Sequence, residues 1–418
     1  MIKKITTSIL LLLTAVSFAQ QSSSSPYSAF GIGEPRLKGT PEQRAMGGLG
    51  IFPDSLHLNL LNPASYSSLQ LTIISIGGQT AFNELKTTDT TEKAKRTSID
   101  YLAVGVPLGK FGVVFGLNPQ TSVGYKIESN ATGGNTGSML NKYTGEGGSN
   151  RAFLGGAYKV TSNFDIGIDA NFYFGKINTS SRKYQVDTQL GTRVDNNINL
   201  NGFSVNLGAM YKTKFREKYE LYTSAVITPG YKMNFNKAVI LGTITNVSGY
   251  DRFDDYVEMP EVNTHVSVPT KFALGVGVGE LRKWAVGTEF SFNGKNKDAA
   301  PVSGSFASFD SKEAFRFSAG GYYVPKYNSF TNYFHRITYR GGLRYENTGL
   351  VVNGTTINDM AVSVGANFPI GNGVSDISLA LEYGQRGAKN NELVQENYFN
   401  VIISISIIDK WFRKMLYD

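Results

Sequence analysis

Apolar and polar residues alternate in short runs from about residue 70 to residue 409. A β-strand turns successive side chains to opposite faces, so this two-residue period writes one apolar and one polar face onto each run. In 164–175, Phe164, Ile166, Ile168, Ala170, Phe172 and Phe174 form one face. Asp165, Gly167, Asp169, Asn171 and Tyr173 form the other. In 399–407, Phe399, Val401, Ile403, Ile405 and Ile407 oppose Asn400, Ser404 and Ser406, with Ile402 as the exception. Phe203, Val205, Leu207 and Ala209 oppose Ser204, Asn206 and Gly208, and Phe272, Leu274, Val276 and Val278 oppose Ala273, Gly275, Gly277 and Gly279. One apolar face and one small or polar face suit a wall between lipid and a polar lumen.

By length and alternation we count roughly 14 strands. They fall at 70–82, 97–108, 110–127, 150–160, 163–177, 198–213, 219–235, 264–279, 281–295, 311–325, 334–346, 357–369, 374–387 and 396–409. The intervening segments alternate long and polar with short, the rule being weakest near the C-terminus, at 326–333 and 388–395. Short turns belong on the periplasmic side of an outer-membrane barrel and long loops outside. An even strand count places both termini in the periplasm. The expected fold is therefore all-β: a transmembrane antiparallel barrel at 70–409 that uses this length as one domain.

The N-terminus fits that compartment. Met1–Ala19 reads as a secretion signal, with Lys3 and Lys4, an apolar run from Ile9, and Ser17-Phe18-Ala19 before a cleavage point at Gln20. The apolar run is short of the ~20 residues a spanning helix needs. The absence of cysteine excludes a lipoprotein, disulfides and cysteine-ligated metals. Removing Lys3 and Lys4 with the leader lowers the net charge from +8 to +6, with no dense basic run, which argues against nucleic acid as a partner. Tyrosine and phenylalanine recur near strand ends, where a membrane interface keeps the ring apolar and a hydroxyl wet; β-propensity alone also enriches both.

Residues 20–69 do not read as membrane strands. They open with four serines and carry Gly31, Gly33, Pro35, Gly39, Pro41, Gly47, Gly48, Gly50, Pro53 and Pro63, which favour compact turns. Such a segment either folds into the lumen or hangs in the periplasm. Arg44-Ala45-Met46-Gly47-Gly48-Leu49-Gly50 followed by Asn62-Pro63-Ala64 resembles the start of the FadL family of outer-membrane channels for hydrophobic compounds. Val268–Gly275, Asp376–Gly387 and Asn397–Asn400 resemble the same family's mid-barrel and final strands. The resemblance implies a 14-stranded barrel with residues 20–69 as an internal hatch. It also implies a fatty-acid-like hydrophobic ligand in the lumen, and lateral exit into outer-membrane lipid at a break in the third strand. That strand contains Gly116, Asn118 and Pro119, and a mid-strand proline removes a ladder hydrogen bond. The break is a gate in one reading and a bulge that only adjusts curvature in the other. The tail at 410–418, with Trp411, Phe412 and Arg413, resembles the PorV-like type IX secretion branch, in which the barrel is a non-transporting accessory of a secretion or assembly complex and the tail a partner contact.

No enzymatic signature is present. His57, His265 and His335 share no metal spacing; the first lies in the N-terminal segment, the second near a strand start and the third in a strand. No cofactor is expected. Asp165, Asp169, Glu289, Arg316, Arg344 and Glu382 are expected to form a solvated lumen wall, or to orient a headgroup. The two functional readings are thus a channel for small hydrophobic molecules and an accessory barrel.

Overall fold

The computed structural model describes residues 24–36, 39–133, 137–185, 190–216, 218–247, 250–296, 308–329, 331–370, 375–389 and 393–409. The secretion-signal region and Trp411, Phe412 and Arg413 lie outside these residues.

The alternating runs form fourteen strands: β1 (Thr72–Lys86), β2 (Thr91–Leu108), β3 (Phe111–Gly133), β4 (Gly137–Lys159), β5 (Phe164–Gln185), β6 (Leu190–Phe215), β7 (Tyr219–Thr228 and Tyr231–Val247), β8 (Tyr250–Val268 and Lys271–Glu280), β9 (Trp284–Asn293), β10 (Ala314–Tyr323), β11 (Thr338–Val352), β12 (Thr355–Ile370), β13 (Ser375–Arg386) and β14 (Gln395–Asp409). β7 breaks at Pro229 and β8 at Pro269, where no N–H is available for the ladder. Neighbours pair antiparallel, and β14 returns to β1 from Gln395↔Lys86 to Asp409↔Thr72, closing the barrel.

The two faces separate as the period dictates. Ile168 and Phe172 are half exposed on the outer wall, while Asp165, Asp169 and Asn171 are buried inside. The odd residue Ile402 turns inward and packs with Ala45 and Ala380. It breaks the alternation because it supports the N-terminal segment.

Five segments expected as loops are largely strand instead: β1 and β2 pair out to Lys86↔Thr91 and β11 and β12 to Val352↔Thr355, and three extensions are longer. β3 and β4 pair out to Gly133↔Gly137, β5 and β6 to Tyr184↔Gly191, and β7 and β8 to Val247↔Tyr250. A strand crosses a bilayer with ~9–11 residues, yet β6 has 26. The excess stands beyond the lipid belt, where clean alternation of apolar and polar residues fails, although Ile244 is buried there and Tyr256 and Val257 are exposed. His265 accordingly sits within β8, opposite Asn234. His335 lies in a 3-10 turn, Tyr333–Arg336, in the longest connection at the short-turn end.

Residues 24–36 and 39–71 lie against the inner face of the barrel. A 3-10 turn at Pro26–Ala29 is capped by Ser25, a single helical turn at Pro41–Arg44 is held by a capping box between Thr40 and Gln43, and a second 3-10 turn at Pro63–Ser68 is capped by Asn62. Leu49, Ile51, Leu60 and Tyr66 are almost wholly buried. Inward-facing glycines of the wall make room for them. A Cβ on Gly112 would sit 1.9 Å from the Tyr66 carbonyl oxygen, and one on Gly342 2.2 Å from the carbonyl carbon of Met46. Gly105, Gly167, Gly208 and Gly275 meet the segment in the same way.

Replacing Gly112 by alanine should therefore displace the segment and destabilise the barrel by about 2 kcal/mol, within the usual range for overpacking. The lipid-facing Gly156→Ala, whose Cβ meets nothing within 4 Å, should leave the urea midpoint unchanged. Equal midpoints for both variants would show that the glycine contacts are not limiting.

Candidate functional site

The sequence motifs fall at two places on the inner wall. Asn62-Pro63-Ala64 packs on β5 and β6: the Asn62 side chain caps the Ala64 N–H at 3.0 Å, and Pro63 rests on Gly167. Arg44, at the end of the helical turn, reaches the opposite wall. Its Nη1 donates to Gln79 Oε1 at 2.6 Å and lies 3.2 Å from Asp100, with Nη2 3.6 Å from Glu382. Gly47 and Gly48 follow with φ of +73° and +86°, and the Gly47 N–H donates to Ser363 Oγ. A Cβ on Gly47 would lie 2.4 Å from the Leu343 carbonyl oxygen, so conformation and contact both require glycine there.

Gly116, Asn118 and Pro119 mark a seam in the wall. The β2–β3 ladder runs only from Leu108↔Phe111 to Leu102↔Leu117. Beyond it β2 continues beside β1, and β3 continues beside β4 with a register shift between Pro119 and Thr121. Asn118 is buried and accepts from Arg151 Nε at 3.0 Å. The N-terminal segment fills the space. Glu34 and Pro35 form a two-residue strand against Ser122 and Thr121, and the Arg36 N–H donates to the Gln120 carbonyl at 2.9 Å. The Arg36 side chain crosses to β2, donating to Ser98 Oγ at 2.5 Å and pairing with Asp100 at 3.3 Å.

Behind the seam lies a buried ion network. Arg36, Arg44, Arg96, Arg344 and Arg386 face Glu34, Asp100, Asp359, Glu382 and Glu396. Arg386 is its hub, 2.8 Å from Glu34, 3.0 Å from Asp359 and 3.6 Å from Glu396. Of these ten, sequence reading singled out Arg44, Arg344 and Glu382. Arg96, Asp100, Asp359, Arg386 and Glu396 carried one signal, a charge within a barrel strand, and Glu34 and Arg36 carried none. The remaining predicted wall charges also bind the N-terminal segment instead of facing solvent. Asp165 accepts from Ser67, Asp169 from Tyr66, and Glu289 from the Gly50 N–H while pairing with Arg316.

Among the described residues the interior keeps several cavities. A charged one of about 30 Å³ lies behind the seam, lined by Arg36, Arg44, Arg96 and Arg386. One of about 230 Å³ lies toward the long-loop end, lined by Tyr27, Phe30, Ile32, Phe309 and Leu350 with Arg386 beside them. One of about 360 Å³ opens at the short-turn end. Among the described residues no cluster of three His, Asp or Glu is placed to hold a metal.

At that third cavity His57 is clamped between Asp54, at 2.8 Å, and Asp376 of β13. Burial alone would lower the His57 pKa, but the two carboxylates outweigh it and hold it well above 6.5. Burial raises Asp54, while His57, the Leu56 N–H and Arg340 together bring it well below 3.8. A raised histidine stabilises fully below 6.5 and loses its contribution as pH rises through the folded value; a depressed aspartate contributes fully above 3.8 and loses it only as pH falls further. The clamp is thus complete between these values and loosens on the alkaline side. Hydrogen exchange at residues 54–58 should quicken at alkaline pH in the native protein beyond the intrinsic rise, and His57→Phe should abolish that excess.

The ion network makes a second demand. Arg386→Met strands three carboxylates in the interior and should cost about 3–5 kcal/mol, as breaking a buried pair from one side does. A urea midpoint within error of wild type would contradict the network's role.

The architecture is shared with solved outer-membrane channels. The CymD monoaromatic hydrocarbon channel superposes with a TM-score of 0.58 at 14% identity, over 90% of this chain and 98% of that one. The Pseudomonas putida toluene transporter TodX gives 0.58 at 16%, over 90% and 99%. A Pseudomonas aeruginosa FadL homologue gives 0.57 at 11%, over 91% and 100%. At these identities the likeness is one of fold, and it bears out the FadL resemblance at that level. No curated protein matches the sequence. The family itself is decided by a model that spans residues 1–418: the chain belongs to the BamG family.

Proposed function

We propose that this barrel sits in the outer membrane with both termini in the periplasm and acts as an accessory subunit of an outer-membrane assembly, its lumen sealed by the N-terminal segment as a built-in plug. The observation that carries this reading is the charge-lined seam. A hydrophobic molecule leaving sideways would pass through the space held by Glu34, Pro35 and Arg36 and break pairs among Arg36, Arg44, Arg386 and their carboxylates. Stripping buried ions of partners costs several kcal/mol each, and a hydrocarbon offers no replacement. The outside of the molecule supplies the complementary support. Tyr256, Val257, Met259 and Val262 are exposed on the β7–β8 hairpin, beyond the proline breaks and so above the strand lengths that cross lipid. Apolar side chains grouped in water mark a protein contact. In this reading the C-terminal tail, with Trp411, Phe412 and Arg413, is a second contact on the periplasmic side.

A second reading, uptake of small hydrophobic or fatty-acid-like molecules, is favoured by two features. The ladder between β2 and β3 stops beside Pro119, and the cavity at Tyr27, Phe30 and Phe309 joins an apolar lining to Arg386, Glu34, Glu346 and Asp359. There the N-terminal segment is a movable hatch and Gly116-Leu117-Asn118-Pro119 the gate.

Native mass spectrometry after gentle detergent extraction separates the two. A complex of fixed stoichiometry, dissociated by Tyr256→Ser with Val257→Ser while the barrel stays folded, is the expected result. A lone barrel carrying hydrophobic small molecules, with toluene uptake lost in Pro119→Val, would establish the channel instead.

A further inference from the structure

One strand of the wall has a neighbour on one side only. Below Pro269, β8 pairs with both β7 and β9. Above it, Tyr250–Val268 pairs with β7, and among the described residues no strand takes its other edge. Such an edge presents a row of unpaired N–H and C=O groups and is a template for a further strand. This stretch also packs on nothing. Successive side chains point to opposite faces, yet every residue from 254 to 265 is exposed. The upper part of β7, flanked by β6 and β8, buries Met233, Phe235 and Ile244.

Proteins blunt open edges with lysine, proline or a bulge. Here Pro260 and two register shifts, between Phe253 and Asp255 and between Met259 and Val262, confine the regular edge to 255–259 without abolishing it. That length is an ordinary strand. Asp255, Val257 and Met259 share one face, and Tyr256 and Glu258 the other. Asp254 and Glu261 accept from Thr245 and Asn236 of β7. Asp255 and Glu258 have no ion pair and no side-chain hydrogen bond among the described residues. The strand carries Asp251, Asp254, Asp255, Glu258 and Glu261 against Arg252 alone, in a chain of net charge +8.

We infer that this edge takes an extended, basic segment of the partner protein, added to β8 as a further strand with lysine or arginine opposite Asp255 and Glu258 and apolar side chains between them. The inference rests on the accessory-subunit reading and names the element that the partner contributes. Directly opposed residues of neighbouring strands meet side chain to side chain, so the two cations stand three positions apart, on opposite faces of the incoming strand. Main-chain hydrogen bonds supply the affinity and the side chains the choice of partner. The carboxylates also select against other occupants. A second copy of this edge would oppose acid to acid, which is destabilising, and lipid phosphates would meet the same repulsion.

Two synthetic peptides of about ten residues, long enough to add one strand, test this on the full chain in nanodiscs. One carries two lysines three positions apart with valine and tyrosine between them; the other has glutamates in place of the lysines. Fluorescence anisotropy should show the basic peptide binding about fivefold or more tightly than the acidic one, the order expected for two cross-strand charge pairs. Amide hydrogen exchange at 255–259 should slow when it binds. Asp255→Lys with Glu258→Lys should reverse the preference, which controls for folding, whereas Asp89→Asn with Glu128→Gln, on the distant hairpins, should change nothing. Equal affinity for the two peptides would overturn the charge selection, and binding without slowed exchange would overturn strand addition. Slowed exchange without peptide as the protein is crowded in the membrane would seat a second copy there and overturn the partner. The accessory reading fails separately. A native complex that survives Asp255→Lys with Glu258→Lys but is lost in Tyr256→Ser with Val257→Ser would overturn the basic strand and keep the accessory role, whereas a lone barrel would overturn that role itself.

Discussion

The structure depends on a core that a β-barrel does not ordinarily possess. The wall turns its apolar face to lipid, so the inside must be filled or solvated by other means. Here an N-terminal segment fills it. The fit works because the wall presents glycine where the segment's backbone arrives, as at Gly112 under Tyr66 and Gly342 under Met46. Once the segment excludes water, charges on the inward parity need partners. The barrel and the segment provide them for each other, Arg44 to Asp100 and Glu382 on the wall, and Glu34 to Arg386.

That dependence gives the interior two ends of different character. Toward the seam, carboxylates and guanidiniums balance, and Arg386 alone is within 3.6 Å of three acids. Toward the short turns a smaller charged cluster holds the segment, with His57 between Asp54 and Asp376.

Much of this was written in the sequence, and what was not has a physical reason. The fourteen membrane strands were legible because lipid on one side and a polar lumen on the other impose the two-residue period. The upper parts of β3 to β8 were not, because outside the lipid apolar and polar residues no longer separate cleanly onto two faces. Arg44, Gly47 and Asn62 stood out through their resemblance to a family motif, and the glycine and proline around them as turn formers. Glu34, Asp100, Asp359 and Arg386 did not, because their roles arise from segments up to 352 residues apart brought together only when the barrel closes. The break at Asn118-Pro119 was visible as a break. Its filling by Glu34 and Pro35 was not, as two residues of strand leave no periodicity to read.

Proline at a barrel strand also acquires a definite meaning here. At Pro229 and Pro269 the ladder is interrupted where the lipid-crossing lengths end, and the hairpin continues above. At Pro119 it coincides with the loss of the β2–β3 ladder itself. The first kind needs no cover because water satisfies the freed groups. The second lies in the wall, where an unsatisfied backbone group is costly, and there the chain supplies a strand of its own from inside. The seam is thus sealed by backbone hydrogen bonds as well as by charge. Opening it means replacing both at once, a demand a polar protein partner can meet far more readily than a hydrocarbon.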